Sequence, residues 1–536
     1  MQELRLAPAA ATVWAAALAV LLVAPWAGVA VVAAAVAAVL AARQVGQALL
    51  TGGMGAAAVV TAWMRVHAAA AWDAGGQFRG TVSGAPRELD GGGHLVRVLT
   101  PGHPGPIAVF TRDLPPGVVP GCVVEVAGRA GESAQPGTAR VTVSGALEVL
   151  EGPRGLAALA QHVRRTFSEA VSAHVGGGAR GLIPGMVLGD TSLQTGREEQ
   201  AYVDTGLSHL SAVSGSNVAI VTTAAVLAAG ALGLGLRGRI AVAGTALLTF
   251  AALVGPEPSV LRASVTGLVA LAAVLSSSVA EPLHTLCLAV AGLILVDTNL
   301  AVSYGFALSV AATAGIVVLS PFIHRALAPL RWPDILTRAV AVAVAADMVT
   351  MPLVALMTGR VSLVAVAANV LAAPVAAPIT VLGLVAVLLS LAPGGLEVPV
   401  LWVVEPLAWW VHAVAEHGAR WPGATVETGP ATVLVAYGWV LAGFLAGRPR
   451  MTLAVALAVV AGGGAGDPTS IRPADPAGMN AHVVGSEATV EPVPSGTEVV
   501  VVLETGRPHR RPVVTREGIP VVYPNRDGPV RTGAAR

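Results

Sequence analysis

The stretch GLIPGMVLGDTSLQTGREEQAYVDTGLSHLSAVSGSNVAIV, residues 181–221, concentrates polar chemistry in an otherwise apolar chain. It is Gly-rich, and it carries Asp190, Gly206, His209, Ser211, Ser214, Gly215, Ser216 and Asn217 toward an apolar helix. Polar groups at membrane depth are costly unless they face a partner or water, which makes such a cluster a candidate site. Small Ser and Gly residues also let helix backbones approach, so helix–helix packing is the competing reading. Asp190 reads more readily as a helix cap or loop anchor than as a metal ligand, because no second acid or His is fixed near it.

Two other chemistries were tested on the residues. AVSG resembles the serine setting of intramembrane proteases, with His209 five residues before Ser214. On one helix, at about 100° per residue, the two side chains stand about 140° apart and do not form a nucleophile–base pair. A histidine from another span, His284 or His412, would have to serve. Asp347, in AVAADMVTMP, is the strongest interior anomaly. A carboxylate at the centre of a membrane helix costs about 2.5–3.5 kcal/mol, so it needs a partner. Arg338 lies about 13.5 Å away along a helix, which favours a partner from another span. Asp347 therefore reads as a structural pair or a proton site. No metal site and no cofactor is expected, since there are only two cysteines, Cys122 and Cys287, in unlike settings. With no Lys in the chain there is no Walker phosphate loop.

These residues must be positioned by membrane elements. The 536 residues are 54% hydrophobic and 12% charged, with mean hydropathy +0.73. Soluble domains carry about a quarter charged residues, so a soluble enzyme is excluded and a polytopic α-helical membrane protein is expected. Residues 1–71 hold three spans, near 9–24, 27–42 and 48–70. Residues 72–152 turn polar and Gly/Pro-rich. The runs QFRGTV, HLVRVLT, PIAVFTR, CVVEVAGR and ARVTVSGALEVL predict about five strands in a small OB-like barrel. Its only obvious aromatics are Trp72, Phe78 and Phe110, and its arginines are scattered, so a structural barrel is favoured over a strand-binding one.

Residues 153–204 contain an amphipathic helix with Leu156, Leu159, Val163, Phe167 and Val171 on one face, lying at the membrane interface or packed on its own protein. Residues 205–464 form the main membrane domain, with spans beginning near 208 and an overlong run, 361–391, interrupted by Pro374 and Pro378 and expected to be a broken helix or a pair. The total is expected to be about 10 to 13 spans. Glu405 and Glu416, with Trp402, Trp409 and Trp410, mark an interfacial stretch. Residues 465–536 read as a mostly disordered polar tail, with one strand in TEVVVVLE.

Arginine placement sets the orientation. With the N-terminus inside, Arg43, Arg237, Arg239, Arg325, Arg331, Arg448 and Arg450 fall in cytoplasmic connections and Arg338 at a cytoplasmic boundary. Arg360 and Arg420 fall outside, with Arg262 near an outer boundary. The β domain and the tail are then extracytoplasmic, in a multi-pass plasma-membrane protein.

LGDTS followed by TGLSHLSAVSGSNVAIV resembles the signature of the ComEC-type competence proteins, with SGSN where many relatives have SG, an apolar residue and His. PSVLRASVTGLVALAA (258–273), VDTNLAVSYGFALSVAATAGIVVLSP (296–321) and ANVLAAPVAAPI (368–379) resemble later segments in the family's order. The resemblance covers about residues 1–464. It implies a non-enzymatic inner-membrane channel for single-stranded transforming DNA. A conduit for a polyanion needs cationic, amide and hydroxyl donors, and Arg262, Asn217, Asn369 and the hydroxyls near Ser214 are the candidates. Many relatives carry a metallo-β-lactamase-like domain, whereas only His482 and His509 follow residue 464, with no HxHxDH. The partners expected are DNA in transit, the lipid bilayer, a cytoplasmic ATPase or other driving partner, a DNA receptor, a separate nuclease and a second copy of the chain. A small-solute, proton-coupled transporter using Asp347 and an intramembrane hydrolase are the alternatives.

Overall fold

The computed structural model describes residues 5–73, 75–89, 92–133, 135–211, 213, 215–255, 257–275, 281–465, 481–486, 490, 493, 497, 499–503, 513–515 and 519–523. Three helices open the chain, α1 (Ala7–Leu22), α2 (Pro25–Ala41) and α3 (Val45–Ala71). The junctions come where the sequence puts Pro25 and the Arg43–Gly46 break. α2 is apolar all round yet buries only Gly28.

The polar block follows as β1 (Gln77–Val82), β2 (Arg87–Glu88), β3 (His94–Leu99), β4 (Ile107–Thr111), β5 (Val123–Glu132) and β6 (Val141–Glu151). The five long strands are those the runs predict. Their order, β1-β5-β6-β4-β3 with β3 returning to β1, closes a small barrel. β4 and β6 are parallel and the other pairs antiparallel, which fits an OB-type barrel. Alternate residues Val96, Val98, Ile107, Val109, Val124 and Val126 fill the interior. Burial pushes the Cys122 thiol up in the same core. The strands approach closely at Gly145, where a Cβ would lie 2.1 Å from the Ala127 carbonyl.

Next come α4 (Leu156–His174), α5 (Ala179–Leu188) and α6 (Gly196–Asp204). The helices α7 (Gly215–Ala231), α8 (Leu236–Val254), α9 (Pro258–Leu275), α10 (Pro282–Val296), α11 (Tyr304–Leu327) and α12 (Asp334–Thr358) follow. A short strand β7 (Arg360–Ser362) precedes α13 (Ala365–Ser390) and α14 (Val398–Ala419). Its partner β8 (Thr425–Glu427) precedes α15 (Pro430–Leu445) and α16 (Pro449–Ala465). Among the described residues six helices, α3, α8, α11, α12, α13 and α14, are long and apolar enough to cross a membrane, and seven further apolar helices are shorter.

Several expectations are corrected. The span expected from 208 begins as a helix only at Gly215, because Gly206 takes a left-handed φ of 68° and residues 207–211 form turns. His209 therefore lies in a turn ahead of α7, and Ser214 lies outside the described residues. The 361–391 run is neither broken nor a pair: α13 is one helix with Pro374 and Pro378 inside it. Neighbouring groups cover backbone that proline disturbs, and Trp410 of α14 donates to the Leu371 carbonyl at 2.9 Å. The amphipathic α4 packs on its own protein, with Val163, Phe167 and Val171 in a core shared with α5, α13 and α14. In the tail, the described residues include four short strands where one was expected. These are β9 (Ala481–Val484), β10 (Val499–Val502), β11 (Val513–Val514) and β12 (Pro520–Val522), with β10 parallel to both β9 and β12. The expectation of disorder for the remainder of the tail falls outside the described residues.

The barrel is fastened to the helices at the 3-10 turn Thr298–Val302 between α10 and α11. Asn299 Oδ1 accepts from Thr138 N at 3.0 Å and Thr138 Oγ1 at 2.8 Å, in a slot walled by Gly105 and Gly137. Arg65 of α3 pairs with Asp297 at 3.2 Å and donates to the Pro104 carbonyl at 2.5 Å. Asn299→Ala leaves Thr138 unsatisfied at a cost of about 1–3 kcal/mol. We expect faster amide exchange at residues 135–140 in that variant, measured by mass spectrometry on the purified full chain.

Candidate functional site

α5 is the pivot of the polar stretch. All its residues except Arg180 are buried, and Gly181 and Gly185 let two loops cross it. A Cβ at Gly185 would lie 2.6 Å from the Ser211 carbonyl, and one at Gly181 2.9 Å from the Leu193 carbonyl. Asp190 anchors the first loop, accepting from Ser168 Oγ of α4 at 2.6 Å and from Ser192 N at 3.0 Å. The α4 residue Arg164 donates to the Leu253 and Val254 carbonyls at 2.5 and 2.6 Å, capping α8. Burial lowers the pKa of its guanidinium, opposed by nearby Asp190 and Glu257. α6 begins with a capping box on Thr195 and Glu198, and its buried Tyr202 meets His412 of α14.

The second loop is pinned at Gly206. Its positive φ and the 2.7 Å clearance a Cβ would have to Ala365 explain why glycine stands there. His209 Nδ1 lies 3.1 Å from the Gly206 carbonyl, and Asn369 Nδ2 reaches the same carbonyl at 3.5 Å and Ala365 O at 2.9 Å. Ser211 Oγ donates to Ser208 O at 2.8 Å. Ser214 and the side chain of Ser216 lie outside the described residues. Asn217, buried in the first turn of α7, donates to the Met186 carbonyl of α5 at 2.7 Å and accepts from Thr380 of α13 at 3.4 Å. Asn217 thus joins α7 to α5 and α13, and Asn369 ties α13 to the loop at Gly206.

The structure brings Gly215 and Arg262 together. A Cβ at Gly215 would stand 3.1 Å from Arg262 Nη2, so α7 and α9 meet closely there. Arg262 Nε donates to Ser309 Oγ of α11 at 2.8 Å. From this point a cavity of about 560 Å³ runs along α7 and α9, lined by Thr222, Thr223, Thr266 and Thr313 as well as Arg262. Among the described residues no carboxylate lines it. Sequence reasoning missed Ser309 and Thr313. Their signal was spacing, since two hydroxyls four residues apart share a face of an otherwise apolar helix.

Asp347 lies apart from this cavity, buried in α12, and accepts from the hydroxyl of Tyr437 on α15. Arg338 pairs instead with Asp334 at 2.6 Å. Among the described residues no group of three His, Cys, Asp or Glu is placed to hold a metal ion.

A small barrel set on a body of long apolar helices, with polar loops folded into its centre, is the build of a multi-pass membrane protein. Residues 186–450 match the family model described as Competence protein, and over these residues the chain belongs to that family. No curated protein and no solved structure matches the chain.

Proposed function

We propose that the chain forms the membrane route by which single-stranded DNA reaches the cytoplasm, passively and pulled by a cytoplasmic ATPase or another driving partner. The observation that carries this reading is the competence-family match over the segment that contains the acid-free cavity headed by Arg262. A polyanion needs donors and an absence of repelling carboxylates. Hydroxyls and one guanidinium meet that need without holding a phosphate tightly. DNA enters past the barrel and passes Arg262 between α7, α9 and α11. The cavity extends along about 18 Å of α9, from Arg262 to Val274, in the narrow space where α7 and α9 meet. Conduction therefore requires α7 and α9 to part.

Membrane placement supports the reading. Exposed Trp402 stands near the start of α14 and exposed Trp421 just past its end, where interfacial Trp is expected, with Trp409 and Trp410 exposed between them. The loop arginines Arg43, Arg237, Arg239, Arg325, Arg331, Arg448 and Arg450, taken as cytoplasmic from their place in the sequence, support a barrel and tail that face outward.

The test is cytoplasmic arrival of fluorescently labelled DNA in the native host, with surface DNA removed by added nuclease. Loss on deletion and recovery on complementation are expected; unchanged arrival in the deletion strain overturns the reading.

Asp347 favours a second reading, a proton-coupled transporter of a small solute, because it is a buried acid within a span. Under the DNA reading it is a helix–helix contact. Asp347→Asn keeps an acceptor for Tyr437, so DNA arrival is expected to stay within about twofold of wild type. Abolished DNA arrival in that variant, at normal protein level, transfers the argument to proton coupling.

A further inference from the structure

The cavity beside α7 changes character along its length. At the barrel end it holds Arg262, with Thr266 one turn further along α9. Beyond them the α9 wall is Ala270, Leu271 and Val274. From Arg262 to Val274 α9 rises about 18 Å. That is the depth of one leaflet, half of the ~30 Å hydrocarbon core, with the edge of its headgroup layer.

The cationic end is not neutralised from within. Arg262 uses Nε on Ser309, and among the described residues it enters no ion pair. The first turn of α7 abuts the guanidinium at Gly215, so the positive end of that helix dipole adds to its charge. Away from Arg262 the donors in the lining are the hydroxyls of Thr222 and Thr223 on α7 and Thr313 on α11, and the α9 wall beyond Thr266 offers none. A slot that is cationic at one end and aliphatic along the remainder of one wall is matched to an amphiphile with an anionic head.

We propose that an anionic phospholipid occupies this cavity, its phosphate on Arg262 and one acyl chain along Ala270, Leu271 and Val274. The inference rests on the membrane placement argued above and not on DNA transport. If both hold, the lipid seals the slot at rest, and incoming nucleic-acid phosphate displaces it.

The experiment is native mass spectrometry of the delipidated full chain in mild detergent, with phosphatidylglycerol or phosphatidylcholine added. Wild type is expected to retain phosphatidylglycerol about fivefold better, the effect of one arginine on an anionic headgroup. Arg262→Gln removes that preference and Arg262→Lys keeps it. Ala270→Trp fills the aliphatic end, leaves Arg262 in place and lowers retention of phosphatidylglycerol. Thermal unfolding of each variant shows that it is folded. Equal retention of the two lipids by wild type overturns the proposal, as does an unchanged preference in Arg262→Gln. Full retention by Ala270→Trp also overturns it, because the phosphate then binds without its chain. A single-stranded oligonucleotide that binds the delipidated protein and resists displacement by phosphatidylglycerol assigns the cavity to nucleic acid instead. Lipid retention is read without DNA, so its failure and a failure of DNA arrival are separate results.

Discussion

Arg262→Glu is expected to lower cytoplasmic arrival of labelled DNA by about 10- to 1,000-fold, the range over which a cleft's charge changes the local concentration of an oppositely charged ligand. The substitution puts a carboxylate at the head of a cavity that has none in its lining. The side chain keeps contact with hydroxyls such as Ser309, so the packing of α9 against α11 survives. Arg262→Gln is expected to fall between the two, and raising the ionic strength is expected to narrow the difference by screening. The measurement is the nuclease-protected signal per cell, normalised to the amount of the chain in the membrane fraction. Arrival at the wild-type level in a normally inserted Arg262→Glu chain would remove this cavity from the route.

Asn217→Leu is expected to act on stability first. Its amide meets the Met186 carbonyl at 2.7 Å in a buried setting, and Leu leaves that carbonyl unsatisfied at about 1–3 kcal/mol. The variant should unfold at a lower temperature in detergent, with DNA arrival falling in step with the amount of folded protein. Thr380→Val removes a longer contact of 3.4 Å and should cost less. An Asn217→Leu chain that unfolds at the wild-type temperature yet passes no DNA would restore Asn217 as a donor lining the path.

Much of this architecture was legible because the bilayer imposes a length and the pleat a period. The N-terminal helices and the barrel strands follow from apolar runs and their Gly/Pro breaks. Asp347 announced a partner from another span through its cost alone, although nothing local pointed to Tyr437. The polar approach was harder to read. An apolar count carries the helix back to 208, but Gly206, Ser208 and Ser211 commit their backbone and side chains to turns, and only Asn217 of the cluster reaches the helix with its partners seen. The central burial of α5 was not legible at all. Ten residues with two glycines and a proline read as connecting chain, and only the loops that cross Gly181 and Gly185 reveal a core element. Ser309 and Thr313 left only the weak signal of their spacing, which gains meaning from the arginine opposite.

The setting of α5 has a consequence for biosynthesis. Its burial depends on α13 and α14, and the ribosome reaches the end of α14 only after the whole stretch from Leu188 to Ala419 has been made. At roughly 5–20 residues per second this takes about 10–45 s. Throughout that interval an apolar segment too short to span the membrane has no finished pocket to enter. The nascent chain thus carries its most buried helix uncovered for that time, and factors that shield membrane proteins during insertion have a clear point of action there.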